Sequence, residues 1–337
     1  MNQIRILNRQ EIMKCLSLSD VIDGVEKAFE WKAKDLTDTF PMVFHAFDSG
    51  TADMDIKSGH LKPAHMYGMK LVSFFEENCK HQQPPLSAVI NLFDDETGYP
   101  IGVLEGSCIT GLRTSAAAAV AAKHLARKDS QTLLIVGAGH QCMYQAAAML
   151  KTMPHLNKVW ICDPLDEQHA SAKAETIAAE MERELHVQLS SGLEFVGVTN
   201  LQEAVETSDV IVTITPSRKP LIQREWVKPG THFSCIGSDM SGKQELDPRI
   251  LKDARVFSDD TAQCQNVGEI ELAWKQGIID SVEGELGEVI AEQKAGRIHD
   301  EDITVFDSTG IAIQDLIAAQ LAFRQAAKKN IGTIAEL

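Results

Sequence analysis

TLLIVGAGHQCMYQ, residues 132–145, is the stretch whose reading decides the fold. Residues 133–136 form a continuous apolar run of the kind a strand shows when both its faces are buried, and the run stops at Gly137-Ala138-Gly139. Beyond the glycines, YQAAAML (residues 144–150) has helical propensity, so the order predicts a strand turning into a helix whose first-turn N–H groups point back at the turn. Glycine allows the backbone to approach a pyrophosphate closely, and a helix N-terminus adds donors and a partial positive charge. Cys142 stands at the third position of the GxGxxG pattern, and a GxG after an apolar strand also occurs in ordinary βα turns, so the context has to carry the reading. A second strand, KVWIC (residues 158–162), ends at Asp163, about where a carboxylate takes the ribose hydroxyls of NAD. No arginine follows Asp163 closely to receive a 2′-phosphate, so NAD is expected rather than NADP.

Downstream, apolar runs at residues 209–215, 232–236, 255–258 and 303–307 alternate with helical stretches. That rhythm predicts an α/β fold with a Rossmann-type, doubly wound parallel sheet. Upstream the pattern differs. A short strand at residues 4–7 is followed by a helix expected to start from a Ser19 or Asp20 cap, with Val21, Ile22, Val25 and Phe29 at helical spacing. Short β-like segments follow at residues 42–47, 54–57, 67–75 and 87–93, and DDETGYP (residues 94–100) predicts a hairpin into residues 101–104. This β-rich region is expected to be antiparallel, and to be too small and discontinuous to close its own sheet. GLRT leads into an alanine-rich helix, and after Ser308-Thr309-Gly310 a long helix is expected over residues 311–329.

The 337 residues suggest two domains, and a formal net charge of −16 excludes a nucleic-acid or anionic-membrane surface as the expected partner. Seven cysteines without a CxxC pair read as reduced thiols, and with no signal-peptide segment or membrane-spanning run a cytoplasmic location is expected. No His/Cys spacing fits a metal site and no GxSxG surrounds a serine, so neither a metal centre nor a serine nucleophile is expected.

Three places outside the glycine turn could carry chemistry. Lys57 and Lys70 interrupt apolar strand-like segments, where a lysine either meets an anionic ligand or sits on an edge strand. Arg113, at the start of the alanine-rich helix, could take a carboxylate bidentately or form an ordinary surface ion pair. Asp239 follows the strand ending at Ile236, on a loop that in an open α/β sheet lies at the ligand-binding edge; the alternative is a turn-capping aspartate. An acidic protein that binds a small carboxylate must gather cations, and Arg113 with Lys70, helped by Lys57, is the convergent basic set.

Over nearly its whole length the chain resembles the ornithine cyclodeaminase/mu-crystallin family, which includes alanine dehydrogenases and imino-acid reductases. The resemblance rests on residues 68–71 (GMKL), 110–114 (TGLRT), 136–139 (VGAG), 225–230 (EWVKPG), 237–247 and 308–310 (STG). It implies a discontinuous α+β substrate-binding and dimerisation domain of residues 1–115 and 311–337, with an NAD-binding Rossmann domain of residues 116–310 inserted, and a homodimer. It implies that Lys70 and Arg113 hold the substrate carboxylate and that Asp239 matches the catalytic aspartate of the cyclodeaminases, which mu-crystallin-like ligand-binding members lack. With the resemblance, the expected cofactor contacts are Gly137, Gly139, His140, Gln141 and Asp163 around the turn. Arg113, Thr114, Thr215, Ser238 and Gly310 complete that set from other segments. One departure matters: cyclodeaminases bring an arginine from the segment before the lysine, and this chain has none between Arg9 and Arg113. The expected function is therefore NAD(H)-dependent oxidoreduction at the Cα–N bond of a small amino or imino acid, with Lys70 and Asp239 as acid and base. Ornithine cyclodeamination is the first alternative and a mu-crystallin-like binding protein the second.

Overall fold

The computed structural model describes residues 3–48 and 50–337. The chain divides into two compact units, Thr114–Gly310 and Met1–Arg113 with Ile311–Leu337. The unit that holds the glycine turn is built on eight parallel strands. Their spatial order is Glu194–Gly197, Lys158–Cys162, Thr132–Val136, Val210–Thr213, His232–Cys235, Thr304–Asp307, Arg255–Ser258 and Gly284–Glu285. The chain enters at Thr132–Val136, winds outward to Glu194–Gly197, then crosses to Val210–Thr213 on the other side. The order of the strands thus reverses between those ending at Val136 and Thr213, the position where open α/β sheets bind ligands. The central strands are buried along nearly their whole length, as doubly covered parallel strands must be.

The other unit is one eight-stranded sheet. Its order is Thr333–Glu336, Gln3–Leu7, Pro100–Glu105, Leu86–Asp94, Met66–Phe75, Ala52–Leu61 and Thr37–Thr39, with Val43–Asp48 also paired to Ala52–Leu61. Neighbours are antiparallel except Gln3–Leu7 against Pro100–Glu105. The C-terminal strand returns to pair with Gln3–Leu7, so the sheet is continuous from that strand to Thr37–Thr39 but does not close on itself. What stays open is Val43–Asp48, exposed along its length with Val43, Phe44 and Phe47 among the exposed apolar residues.

The helices Leu18–Ala33 and Ala312–Lys329 pack together, and the second also lies on the sheet. Glycine makes the approach close: a Cβ on Gly24 would stand 2.7 Å from Leu321 Cδ1, and one on Gly68 2.8 Å from Leu316 Cδ2. Two starts differ from expectation. Ser17 caps the first of these helices, not Ser19 or Asp20: its hydroxyl accepts from Asp20 N–H at 3.1 Å while the Asp20 carboxylate accepts from Ser17 N–H at 3.2 Å. That reciprocal pair puts Ser19 and Asp20 inside the first turn. The alanine-rich helix runs over Gly106–Leu125, so Arg113 lies within it rather than at its start. Among the described residues no helix is long and apolar enough to cross a membrane.

Candidate functional site

In the parallel-sheet unit, Gly137 has φ +126°, and a Cβ there would meet Ile214 Cγ1 at 2.8 Å, so a side chain is excluded both by conformation and by space. Gly139 is the N-cap of the helix His140–Thr152; no side chain caps it, and a Cβ on Gly139 would meet nothing within 4 Å. The turn therefore presents helix N-terminal donors to open space, the shape that fits a pyrophosphate. His140 stands exposed at this opening, its ring 5.4 Å from that of Tyr144, and Gln141 Oε1 is a buried acceptor with no partner among the described residues.

Asp163 closes the next strand. It accepts from Leu165 N–H at 3.0 Å and lies 2.7 Å from His169 Nδ1. Burial works against its charge, but these two partners hold its carboxyl below the usual range.

Just beyond the strands Val210–Thr213 and His232–Cys235 lie Thr215 and Ser238, both buried, with hydroxyls that donate to buried glutamates. Glu245 accepts from Thr215 N–H and Oγ1–H, each at 2.7 Å, and from Gly237 N–H at 3.1 Å. Glu269 accepts from Ser238 Oγ–H at 2.7 Å, from Leu246 N–H at 2.7 Å, and from Glu245 N–H. Burial, reinforced by the neighbouring Glu269, pushes Glu245 up to about 8, and burial pushes Glu269 to about 7. Glu271 accepts from Ser241 Oγ–H and Gly242 N–H. Three glutamates thus fasten the loop of residues 237–243. Asp239, on that loop, is half exposed and ion-paired with Lys243 at 2.5 Å. Gly310 is buried, its N–H donating to Asp259 at 2.8 Å, and Thr114 is partly buried on the long helix. None of the three glutamates was given a role from the sequence, although Glu245 lies within the stretch 237–247 that carries the resemblance.

In the antiparallel unit, Lys57 and Lys70 are direct partners on neighbouring strands. They share a face with Gly59 and Gly68, the face onto which the C-terminal helix packs. Lys70 is 1% exposed. Its Nζ donates to Asp315 Oδ1 at 2.9 Å and to Thr110 Oγ1 at 3.4 Å. The same Asp315 oxygen accepts from Arg113 Nε–H at 2.9 Å, while Arg113 Nη1–H donates to Gln314 Oε1 at 2.9 Å. Burial first, then the Arg113 and Lys57 charges, bring Lys70 down to about 8 against the pull of Asp315. Burial opposes the Asp315 charge, but Arg113 and Lys70 hold its carboxyl below the usual range. Sequence reasoning found Lys57, Lys70 and Arg113 but missed Gln314 and Asp315. The available signal was a Gln-Asp pair inside the apolar first turns of a helix, IAIQDLIAA. Among the described residues no group of His, Cys, Asp and Glu could hold a metal ion.

Comparison with known proteins identifies relatives along the whole chain. Alanine dehydrogenase from Archaeoglobus fulgidus is 37% identical, with 97% of each chain covered. Iminosuccinate reductase from Paracoccus denitrificans is 35% identical over 98% of this chain and 99% of its own. The solved structure of an archaeal alanine dehydrogenase dimer with bound NAD superposes with a TM-score of 0.89 at 35% identity, covering all of both chains. The sequence profile of the ornithine cyclodeaminase/mu-crystallin family matches residues 3–330. With a match of that extent and relatives aligned end to end, the chain belongs to the ornithine cyclodeaminase/mu-crystallin family.

Proposed function

We propose that the protein is an NAD(H)-dependent oxidoreductase acting on the Cα–N bond of a small amino or imino acid. The observation that carries this reading is Lys70: a fully buried lysine, brought to about 8, sharing one carboxylate oxygen with Arg113. Two cations on one carboxylate leave positive potential for a substrate carboxylate, which Arg113 can take bidentately. Lys70, titrating near neutrality, exchanges a proton with the substrate nitrogen, Lys57 adds to the anion-binding set, and Asp239 is the second acid–base group. The nicotinamide supplies hydride donation or acceptance at Cα when bound. Gly137, Gly139, His140 and Gln141 receive the pyrophosphate, and Asp163 takes the ribose diol and repels a 2′-phosphate. Relatives aligned along their whole length that are named alanine dehydrogenase and iminosuccinate reductase support this chemistry.

A homodimer fits the exposed apolar strand Val43–Asp48, an edge that a second copy would cover, and a cytoplasmic location fits seven unpaired thiols. Light scattering that finds a stable monomer at micromolar concentration would rule the dimer out. Incubation with a panel of amino acids and 2-oxo acids, following NADH absorbance and ammonia together, tests the reaction. The expected result is cofactor turnover with 2-oxo acid plus ammonium; tighter binding of NADPH than NADH would sink the role of Asp163. Ornithine cyclodeamination stands second because the upstream arginine is missing, and proline with ammonia from ornithine at constant NADH would put it first. Tight NADH binding without any turnover would turn the reading to a mu-crystallin-like ligand-binding protein.

A further inference from the structure

Asp315 is fully buried, and one of its oxygens, Oδ1, accepts both from Lys70 Nζ and from Arg113 Nε–H, each at 2.9 Å. A common acceptor atom keeps the two cations within two hydrogen-bond lengths of each other. The other oxygen, Oδ2, is buried and has no partner among the described residues, so the carboxylate meets both cations through a single atom. An ammonium has three donors. A second one from Lys70 reaches Thr110 Oγ1 at 3.4 Å, and Thr110 gives its own hydroxyl proton to Gly106 O at 2.9 Å, so its oxygen faces Lys70 as an acceptor. Two donor directions of Lys70 are thereby set from two different helices, Gly106–Leu125 and Ala312–Lys329. The charges facing Lys70 are unequal. Arg113 and, from the paired strand, Lys57 disfavour its ammonium, as burial does, and Asp315 is the charge that favours it. Asp55 stands one step along that strand, opposite Val72, and on the other side Ile90 of Leu86–Asp94 pairs with Lys70.

We infer that Asp315, seconded by Thr110, is the positioning residue through which Lys70 works: it fixes the direction of the ammonium and supplies its counter-charge, so that Lys70 hands a proton to the substrate nitrogen. The inference rests on Lys70 as an acid–base group in the reading above and goes beyond it, because that assignment alone requires neither Asp315 nor Thr110. In the reductive direction Lys70 gives one proton to the imine nitrogen and becomes the neutral amine, while the imine carbon gains the hydride as NADH becomes NAD+. Asp315 stays ionised throughout and moves no proton itself.

The test follows pH on the full-length protein, with NADH, ammonium and whichever 2-oxo acid it turns over. In the unmodified protein kcat/KM should fall on the alkaline side near pH 8, where Lys70 loses its proton. Asp315→Asn keeps the shape and removes the charge, so that limb should move at least about one unit to lower pH. The titration of ammonia cancels in this comparison. Asp315→Glu keeps the charge but displaces it, so the limb should stay within about half a unit while kcat drops about tenfold or more. An unmoved limb in Asp315→Asn, or full kcat in Asp315→Glu, would overturn the inference, since a purely structural aspartate changes stability and leaves both readings alone. Where Asp315→Asn no longer folds and binds NADH, Thr110→Val decides: the limb should move the same way by a smaller step and return in Thr110→Ser, and no movement would overturn the inference. A binding arm needs no turnover: propionate, titrated calorimetrically in the presence of NADH, should lose affinity as pH rises through the same limb, and Asp315→Asn should move that loss to lower pH. Such a shift without turnover of any 2-oxo acid would sink the oxidoreductase reading and leave the link between Asp315 and Lys70 standing. Turnover with an unmoved limb would do the reverse.

Discussion

In the antiparallel unit a single carboxylate oxygen, Asp315 Oδ1, serves two buried cations, Lys70 and Arg113. In the parallel-sheet unit the buried carboxylates Glu245 and Glu269 are met by backbone N–H groups and hydroxyls instead. Asp307 belongs with them: burial first, then neighbouring acids, push its carboxyl far up, and its Oδ1 has no partner among the described residues. The first arrangement sets two buried cations against one carboxylate oxygen. The second keeps its protons and uses the carboxyl groups to order backbone, including the loop that carries Asp239. Burying a carboxylate thus offsets cations in one unit and orders backbone in the other.

Removing the common carboxylate is the hardest blow to this contrast. Asp315→Leu leaves Lys70 and Arg113 buried without their counter-ion, at an expected cost of about 3–5 kcal/mol in urea unfolding. A loss below about 1 kcal/mol would mean that Asp315 does not hold the pair.

Next in size is an opposite response to pH. Glu245 and Glu269 have folded pKa values raised from 4.5 to about 8 and about 7, so the native state holds their protons more tightly. Their contribution is fully present below 4.5 and is lost as pH rises through 7 to 8. Lys70 is lowered from 10.5 to about 8, so its contribution is present above 10.5 and lost as pH falls through 8. Each effect is on the order of 3 kcal/mol. Hydrogen exchange, corrected for intrinsic rates, should show peptides near residues 237–246 losing protection between pH 5 and 8. Peptides around Lys70 and Asp315 should gain it between pH 8 and 10, and parallel behaviour in both units would erase the contrast.

The glycine turn offers a reference that involves no charge. Gly137→Ala forces a side chain into φ +126° against Ile214 and should cost about 1–3 kcal/mol by thermal unfolding. Gly139→Ala, facing open space, should leave stability within about 0.5 kcal/mol while weakening NADH binding in a fluorescence titration. A modest effect is also expected of Ser238→Ala, which removes one hydroxyl donor from Glu269 and should cost about 1 kcal/mol. Loss of loop protection without loss of global stability would place that bond with the loop rather than the core.

What could be read from the sequence was what is local. The glycine turn, the strand after it and Asp163 lie within about thirty residues, and strand-to-helix chemistry leaves a mark at that range. Lys70 and Arg113 stood out because a cation inside an apolar stretch is costly unless something meets it. Asp315 did not, since it lies 245 residues from Lys70 and nothing in its own helix names the partner. Glu245 and Glu269 were hidden for another reason: acids are usually solvated, and only the fold reveals that backbone donors surround them. The Ser17 cap shows the same limit at short range. Ser17, Ser19 and Asp20 are all capping residue types, and only the reciprocal bond between Ser17 and Asp20 selects one.

The buried acids also alter how the folded molecule migrates in an electric field. A formal net charge of −16 counts every carboxylate as ionised. With Glu245 mostly protonated and Glu269 about half so at pH 7, and burial raising Asp307 as well, the native protein should carry at least about one fewer negative charge than that count. On unfolding these groups ionise and the charge appears. Native electrophoresis at neutral pH should therefore show a mobility below that expected from composition, and unfolding should raise it.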